Sequence, residues 1–128
     1  MNVVDSSGWL EFFGNGRNAE FFATPLSDAP SLIVPVITVY EVFKRVLLDR
    51  GEGPALEAVA LMQQGEIVEL SSTAAISAAR LSVKASLPMA DAIILSTARA
   101  SGATLWTQDA HFEGVADVKY VSAASTPR

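Results

Sequence analysis

The sequence predicts an α/β fold, a three-layer α/β/α sandwich around a central, mostly parallel five-stranded sheet. Short apolar segments alternate with helical ones along the chain, which is typical of parallel sheets covered by helices. The chain has 128 residues and half of them are hydrophobic, which is enough for one sizeable core. The sequence shows no repeat, low-complexity tract or linker, so we expect a single domain over residues 1–128.

In the N-terminal half, the apolar segments at residues 2–4 and 32–35 predict the first two strands. Helices are predicted at 7–13 and 18–23, followed by a loop with two prolines at 24–31. The third helix, 38–50, has the clearest pattern. Its apolar residues Val39, Val42, Phe43, Val46 and Leu47 recur at helical spacing, and Gly51 follows it.

In the C-terminal half, a fourth helix is predicted at 54–62 and a third strand at 67–70. An alanine-rich helix follows at 72–85, and Leu87-Pro88 begins a helix that Gly102 ends. The last strands are predicted at 104–106 and 119–121, with a turn between them and a tail after Val121.

Composition excludes several kinds of site. Without cysteine there are no disulfides, thiolate metal sites or cysteine nucleophiles. The most apolar segment, SLIVPVITVY, is short and interrupted by Pro35, and no signal peptide is evident, so we expect no membrane segment and a cytoplasmic protein. The net charge of −5 argues against a nucleic-acid-binding surface.

Four acids occupy equivalent places in the predicted fold. Asp5 and Asp109 follow strands, and Glu41 and Asp91 lie in the first turns of helices. Each also has a purely structural explanation. Asp5 and Asp109 can cap helical turns, Asp91 can complement a helix dipole, and Glu41 can form a capping box with Thr38.

The four acids are more informative together. Strands end and helices begin at the same edge of a parallel α/β sheet, so the acids face one rim, where such folds bind ligands. Carboxylates that converge without a cation repel one another. With no cysteine and one histidine, an oxygen-rich site for Mg²⁺ or Mn²⁺ is expected. Without these acids the net charge becomes −1, which weakens the argument against nucleic acid.

The segments VVDSSGWLEFF, ITVYEV, LPMADAIILSTARASGA and LWTQDAHFEGV, in this order, resemble PIN-domain ribonucleases, and more narrowly the VapC-type toxins of type II toxin–antitoxin systems. The resemblance implies a PIN-like fold and an Mg²⁺- or Mn²⁺-dependent endoribonuclease acting on single-stranded or structured RNA such as tRNA. It implies that the catalytic acids are Asp5, Glu41, Asp91 and Asp109. Of these, Asp5, Asp91 and Asp109 are expected to hold metal.

Other roles also follow from the resemblance. Glu41 is expected to act through water or as a general base, with support for the site from Ser6 and Thr107; Ser7 is then free to cap the first helix. The resemblance implies a homodimer and a cognate antitoxin bound along an apolar groove. Candidate groove residues, which core packing explains equally well, are Phe12, Phe13, Phe21, Phe22 and Phe43.

Some alternatives remain open at this stage. A non-catalytic PIN-like module that binds RNA or protein has the same fold. A phospho-acceptor domain and a phosphatase fit less well, because a single aspartate follows the first strand in Asp5-Ser6-Ser7. His111 is interpreted as structural or exposed, and Glu41 with Arg45 as an ordinary surface pair.

Overall fold

The computed structural model describes residues 1–123, and the last five residues of the predicted tail lie outside that range. The strands are β1 (Asn2–Val4), β2 (Leu32–Pro35), β3 (Glu66–Val68), β4 (Thr104–Thr107) and β5 (Val118–Tyr120). The helices are α1 (Ser6–Phe13), α2 (Ala19–Leu26), α3 (Val36–Arg50), α4 (Glu52–Met62), α5 (Ser72–Ala85) and α6 (Met89–Ala100). Single 3-10 turns cover Ala29–Ser31 and Ala110–Phe112.

The five strands form one sheet in the order β3-β2-β1-β4-β5, and every pairing in it is parallel. Asn2 of β1 pairs with Leu32 of β2 on one side and with Thr104 of β4 on the other. The chain therefore winds outward from β1 to β3 and then returns to the opposite side of β1. Open parallel sheets bind ligands outside the carboxyl ends of their strands at such a reversal. The predicted α/β fold class is confirmed.

Two apolar clusters, one on each face of the sheet, hold the three layers together. Val3 lies in one cluster and Val4 in the other, because successive side chains of a strand point to opposite faces. Phe22 and Met62 are fully buried in the Val4 cluster, and Leu95 of α6 is fully buried in the Val3 cluster. Burial on both faces fixes β1 at the centre of the sheet.

Within residues 1–123, no single helix is long and apolar enough to cross a membrane. Only α5 and α6 taken together reach that length and composition, and the two are bent by 114° at the break between them.

Helix α3 begins two residues earlier than the sequence predicts. Pro35 is its N-cap residue, so Thr38 lies inside the first turn. The Thr38 side chain is fully buried, and its Oγ1 has no hydrogen-bond partner within residues 1–123. The predicted capping box between Thr38 and Glu41 is therefore wrong. The β-branched Val36 and Ile37 join the helix because Ile37 packs against the Val3 cluster, which outweighs their preference for strands.

Several other boundaries differ from the sequence prediction, among them the start of α4, which lies two residues earlier than predicted. Helix α2 continues through Pro25, which the sequence places in a loop; the Pro25 side chain is buried there, and packing offsets the lost backbone hydrogen bond. Strands β3 and β5 each begin one residue earlier than predicted.

Gly8 allows α1 to pack closely on β1 and α2. A Cβ at Gly8 would lie 2.6 Å from both Phe22 Cε1 and Val4 Cγ1, and both of these side chains are fully buried. We predict that Gly8→Ala lowers the free energy of unfolding by about 1–3 kcal/mol, because the added methyl overpacks the core. Chemical denaturation followed by tryptophan fluorescence measures the change.

Gly53→Ala is the matched control. A Cβ at Gly53 meets no atom within 4 Å, and the residue lies in α4. The same substitution there is expected to change the free energy of unfolding by less than about 0.5 kcal/mol. Helix propensity and a less flexible unfolded chain favour alanine, whereas the ring of the following Pro54 disfavours a Cβ on a helical residue. Equal effects of the two substitutions would contradict the packing explanation.

Candidate active site

Asp5 follows β1 and is the N-cap residue of α1. Only 3% of the residue is exposed. Its Oδ1 accepts hydrogen bonds from Ser7 Oγ at 2.8 Å and from the Gly8 N–H at 3.0 Å, and its Oδ2 accepts one from Thr107 Oγ1. The prediction that Ser7 caps α1 is wrong. Asp5 is the residue before the helix and its carboxylate accepts from the Gly8 N–H, whereas Ser7 lies inside α1 and donates to Asp5. Burial raises the pKa of Asp5 to about 6, although these hydrogen bonds act to lower it.

Thr107 connects β1 to the segment that follows β4. Its side chain is fully buried. Its hydroxyl donates to Asp5 and accepts from the Asp109 backbone N–H at 2.9 Å. One hydroxyl therefore sets the orientation of the Asp5 carboxylate and fixes the backbone of Asp109. The structure places Thr107 between two of the acids that the resemblance assigns to the site.

Asp91, Asp109 and His111 form the most compact group of charged side chains at the rim. Asp91 lies in the first turn of α6, and Asp109 is the N-cap residue of the 3-10 turn Ala110–Phe112. The Nδ1 atom of His111 lies 2.9 Å from Asp91 Oδ2 and 3.2 Å from Asp109 Oδ1. One ligand atom from each of the three residues lies within 4.8 Å of the other two.

The surroundings shift the protonation of this group. Burial raises the pKa of the Asp91 carboxyl, and the nearby charge of Asp109 raises it further. The hydrogen bond to Asp91 raises the pKa of His111. Sequence reasoning left His111 outside the site. Its position two residues after Asp109, in a short turn, is the signal that could have placed it there.

Glu41 lies on α3 and faces Ser6 at the start of α1. Ser6 Oγ donates a hydrogen bond to Glu41 Oε1. Glu41 is close enough for its charge to contribute to the raised pKa of Asp91. Its predicted surface pair with Arg45 is not formed, because Arg45 pairs with Asp49 at 3.0 Å instead. Ser6 therefore supports Glu41 rather than Asp5.

The four acids surround the carboxyl ends of β1 and β4. Their charges influence one another: Asp109 raises the pKa of both Asp5 and Asp91. Asp5 and Glu41 lie outside the compact group of Asp91, Asp109 and His111. The donor set is carboxylate oxygen with a single imidazole nitrogen, which fits a divalent cation such as Mg²⁺ or Mn²⁺. A cation there would offset the mutual repulsion of the acids and the cost of ionising a buried Asp5.

A second polar network, which sequence reasoning missed, fixes the other side of the rim. Glu11 Oε2 accepts from the Asn18 backbone N–H at 2.8 Å, and Gln108 Nε2 donates to Glu11 Oε1 at 3.3 Å. Asn18 Nδ2 donates to Gln108 Oε1 at 2.9 Å. A Cβ at Gly16 would lie 2.4 Å from the Glu11 carboxylate, so a side chain there would displace this carboxylate from the network. The network fixes Gln108, the residue between Thr107 and Asp109.

Two cavities run from this rim along α1, α3 and α4. The one nearer the acids, about 320 Å³, is lined by Ser6, Leu10, Tyr40, Glu41, Lys44, Arg45 and Leu48. The next, about 360 Å³, shares Leu10 and Arg45 with it and extends to Leu61. Together we call them the α1–α3–α4 groove. Of the five candidate groove phenylalanines, Phe13 lines it and Phe22 is fully buried in the core; Phe12, Phe21 and Phe43 are partly buried against the Val4 cluster.

Comparisons with known proteins agree with this fold. A family model described as the PIN domain matches residues 3–118. A toxin–antitoxin complex from Klebsiella pneumoniae is 22% identical to the chain, with a TM-score of 0.79 over 93% of this chain and 96% of that one. Among curated proteins, none matches the sequence significantly.

Two further solved structures are similar in fold. VapC20 from Mycobacterium tuberculosis, described as a toxin that cleaves the sarcin–ricin loop, is 14% identical, with a TM-score of 0.74 over 91% of this chain and 95% of that one. VapBC2 from Rickettsia felis, solved with a DNA fragment from its promoter, is 14% identical, with a TM-score of 0.72 over 94% and 97% of the two chains.

The buried Asp5 makes the stability of the metal-free protein depend on pH. Because folding raises the pKa of Asp5 from 3.8 to about 6, its contribution to stability is fully present below 3.8 and is lost as the pH rises through 6. We predict that Asp5→Asn in EDTA raises the free energy of unfolding by about 1–3 kcal/mol at pH 7.5. This increase in the free energy of unfolding falls towards zero near pH 4.

Chemical denaturation of both proteins between pH 4 and 8 measures this difference. Asp28→Asn is the control, because Asp28 is exposed and caps no helix through its side chain. Asp28→Asn is expected to change the free energy of unfolding by less than about 0.5 kcal/mol, as surface substitutions usually do. A stability difference between wild type and Asp5→Asn that is constant across the range would contradict the account.

Proposed function

Because the chain belongs to the PIN domain family, we propose that it is a metal-dependent endoribonuclease toxin of the VapC type that a cognate antitoxin neutralises. The observation that carries the proposal is the convergence of four acids outside β1 and β4, one of them a buried carboxyl with a raised pKa. We propose a single-stranded or structured RNA such as tRNA as the substrate, and the cytoplasm as the compartment where the chain meets it.

The proposed metal ligands are Asp5, Asp91 and Asp109, and the proposed ion is Mg²⁺ or Mn²⁺. Carboxylate oxygen is a donor that both ions accept. When bound, the ion supplies a Lewis acid that stabilises negative charge on the oxygens of the scissile phosphate. The chain itself supplies the positioning: Thr107 orients Asp5 and the backbone of Asp109, and Gln108 is fixed by Glu11 and Asn18.

Glu41 is the proposed general base. Ser6 occupies its Oε1, so Oε2 is available to accept the proton of the attacking water. The water oxygen forms a bond to phosphorus while the bond from phosphorus to O3′ breaks. The leaving O3′ takes a proton from solvent. The products are a 5′-phosphate and a 3′-hydroxyl, as the resemblance implies.

Tyr40 and Lys44 are the proposed contacts for RNA beside the acids. Both line the same cavity as Glu41, and Lys44 Nζ lies 5.7 Å from the centre of the Tyr40 ring. Tyr40 is 62% exposed. An exposed ring can stack on a base and a neighbouring cation can contact phosphate, which together bind single-stranded nucleic acid without sequence preference.

The α1–α3–α4 groove is the proposed binding site for the antitoxin. It carries exposed apolar side chains, among them Leu48 and Leu61, and it leads to Glu41. A segment bound along it would cover the cavity proposed for RNA, which explains neutralisation by exclusion. The Klebsiella structure is a toxin–antitoxin complex, which supports a partner of this kind.

We also propose that the protein is a homodimer. Ile76, Val83 and Met89 are exposed apolar side chains outside the groove, with 56%, 86% and 72% exposure. Exposed apolar surface of this kind favours association.

The cleavage experiment tests the proposed function. Purified wild-type protein is incubated with total small RNA and Mn²⁺ or Mg²⁺, and Asp91→Asn is treated in parallel. We predict discrete fragments for the wild type, none with EDTA, and a rate at least about a hundredfold lower for Asp91→Asn, because a proposed ligand is lost.

Asp28→Asn is the matched control, since it makes the same change at an exposed acid away from the rim. It is expected to cut like the wild type. Equal cleavage by wild type and Asp91→Asn would identify a contaminating nuclease. Metal binding at the rim without cleavage of any RNA would favour the non-catalytic module.

A paired substitution on α4 tests the groove. Leu61 lines the groove, whereas Leu56 on the same helix does not, and the two are 46% and 55% exposed. The antitoxin used in this test is a protein whose co-expression restores growth to cells that express the chain. We predict that Leu61→Glu weakens its binding at least about tenfold and that Leu56→Glu leaves it unchanged, because only the first places a charge against a buried apolar segment. Titration calorimetry measures both affinities.

Both variants are expected to keep wild-type RNA cleavage, since neither residue lies among the acids. Equal affinities of the two variants for the partner would place the antitoxin elsewhere.

A further inference from the structure

We infer that His111 binds the metal ion of this site through its Nδ1 nitrogen, which makes the site a mixed nitrogen–oxygen site that favours transition-metal ions over Mg²⁺. The inference rests on the proposed metal-dependent function. It adds a ligand that is not a carboxylate to the acids assigned by resemblance.

The distances place one imidazole nitrogen between two carboxylates. His111 Nδ1 lies 2.9 Å from Asp91 Oδ2 and 3.2 Å from Asp109 Oδ1, and the ligand atoms of the three residues all lie within 4.8 Å of one another. Nitrogen and oxygen ligands lie roughly 2.0–2.6 Å from a divalent ion, so ligands of one ion are separated by no more than about 4–5 Å. One ion can therefore reach all three side chains.

The local backbone holds His111 in this place. The His111 backbone N–H donates to Asp109 Oδ1 at 2.9 Å, so the Asp109 carboxylate contacts both the backbone and the ring of His111. Phe112, the next residue in the 3-10 turn, is fully buried in the Val3 cluster and anchors the turn. These contacts fix the position of the His111 imidazole at the rim.

The His111 ring is accessible to a metal ion from solvent. The His111 side chain is 58% exposed while Asp91 beside it is 15% exposed. In the metal-free site the hydrogen bond to Asp91 places a proton on Nδ1. A metal ion would replace that proton, and the neutral imidazole would then carry its one proton on Nε2. Imidazole nitrogen strengthens the binding of transition-metal ions, whereas Mg²⁺ is held by oxygen.

Mn²⁺ gives a direct test, because pulsed electron paramagnetic resonance detects a nitrogen nucleus bonded to it. The chain contains one histidine, so an imidazole signal in tag-free protein can come only from His111. We expect a ¹⁴N coupling in the wild type. The coupling changes to that of ¹⁵N when histidine alone is labelled, a comparison that needs no variant and does not depend on the folding of a mutant.

Binding measurements give a second readout. His111→Ala is expected to weaken Mn²⁺ binding at least roughly tenfold, because a ligand is lost, and to change Mg²⁺ binding by less than about threefold. Glu113→Gln, an exposed residue next to the same turn, is the control and is expected to bind both ions like the wild type. Circular dichroism of each variant verifies its folding.

The outcomes separate the two claims. Mn²⁺ that binds the wild type and is lost in Asp91→Asn, but shows no nitrogen coupling, would overturn the role of His111 and leave the proposed nuclease standing. Failure of Mn²⁺ to bind the wild type would overturn both. Equal loss of Mn²⁺ and Mg²⁺ affinity in His111→Ala would show that His111 only orients the carboxylates, which also overturns its role as a ligand.

Discussion

The burial of the Asp5 carboxyl is the constraint on which the site depends. Three donors from two elements, Ser7 and Gly8 of α1 and Thr107 of β4, converge on its two oxygens. They join the end of β1 to the start of α1 and to the neighbouring strand. Burial nevertheless raises the pKa to about 6, so the ionised form is held at a cost in stability at neutral pH. A carboxyl kept in that state is better explained by a ligand that needs its charge than by capping alone.

Helix capping and metal binding are therefore not alternatives for Asp5. One oxygen accepts from the first turn of α1, and the geometry of that cap fixes where the carboxylate lies. Asp109 has the same arrangement on a smaller scale, since its Oδ1 caps the 3-10 turn and also lies 3.2 Å from the His111 ring. Capping places the charge accurately, because an N-cap side chain is held by backbone groups that cannot move independently.

The order of the strands explains why residues far apart in sequence meet. Because the winding reverses between β1 and β4, the ends of these two strands lie side by side, with α6 beside them. Asp5, Asp109 and Asp91 come from those three elements. The alternation of apolar strands and helices in the sequence predicts this rim. The position of each acid, at the end of a strand or the start of a helix, predicts that all four face it.

Side-chain contacts between elements could not be predicted in the same way. Thr38 fits a capping box locally, but the packing of Ile37 moved the start of α3 and buried Thr38 inside the helix. The contact between His111 and Asp91 and the network of Glu11, Asn18 and Gln108 depend on distances across the fold, which no local pattern contains. Local spacing indicates which rim a residue faces, and tertiary packing decides which atoms meet there.

The central claim is that the acids outside β1 and β4 bind a divalent cation. A crystal soaked in Mn²⁺ and measured near the manganese absorption edge tests it most directly. The anomalous signal identifies the manganese ion itself, so its position does not depend on assigning electron density to an ion. The account predicts an anomalous peak among the carboxylates of Asp5, Asp91 and Asp109. Full soaking with no peak at this rim, while Mn²⁺ is found elsewhere on the molecule, would contradict it.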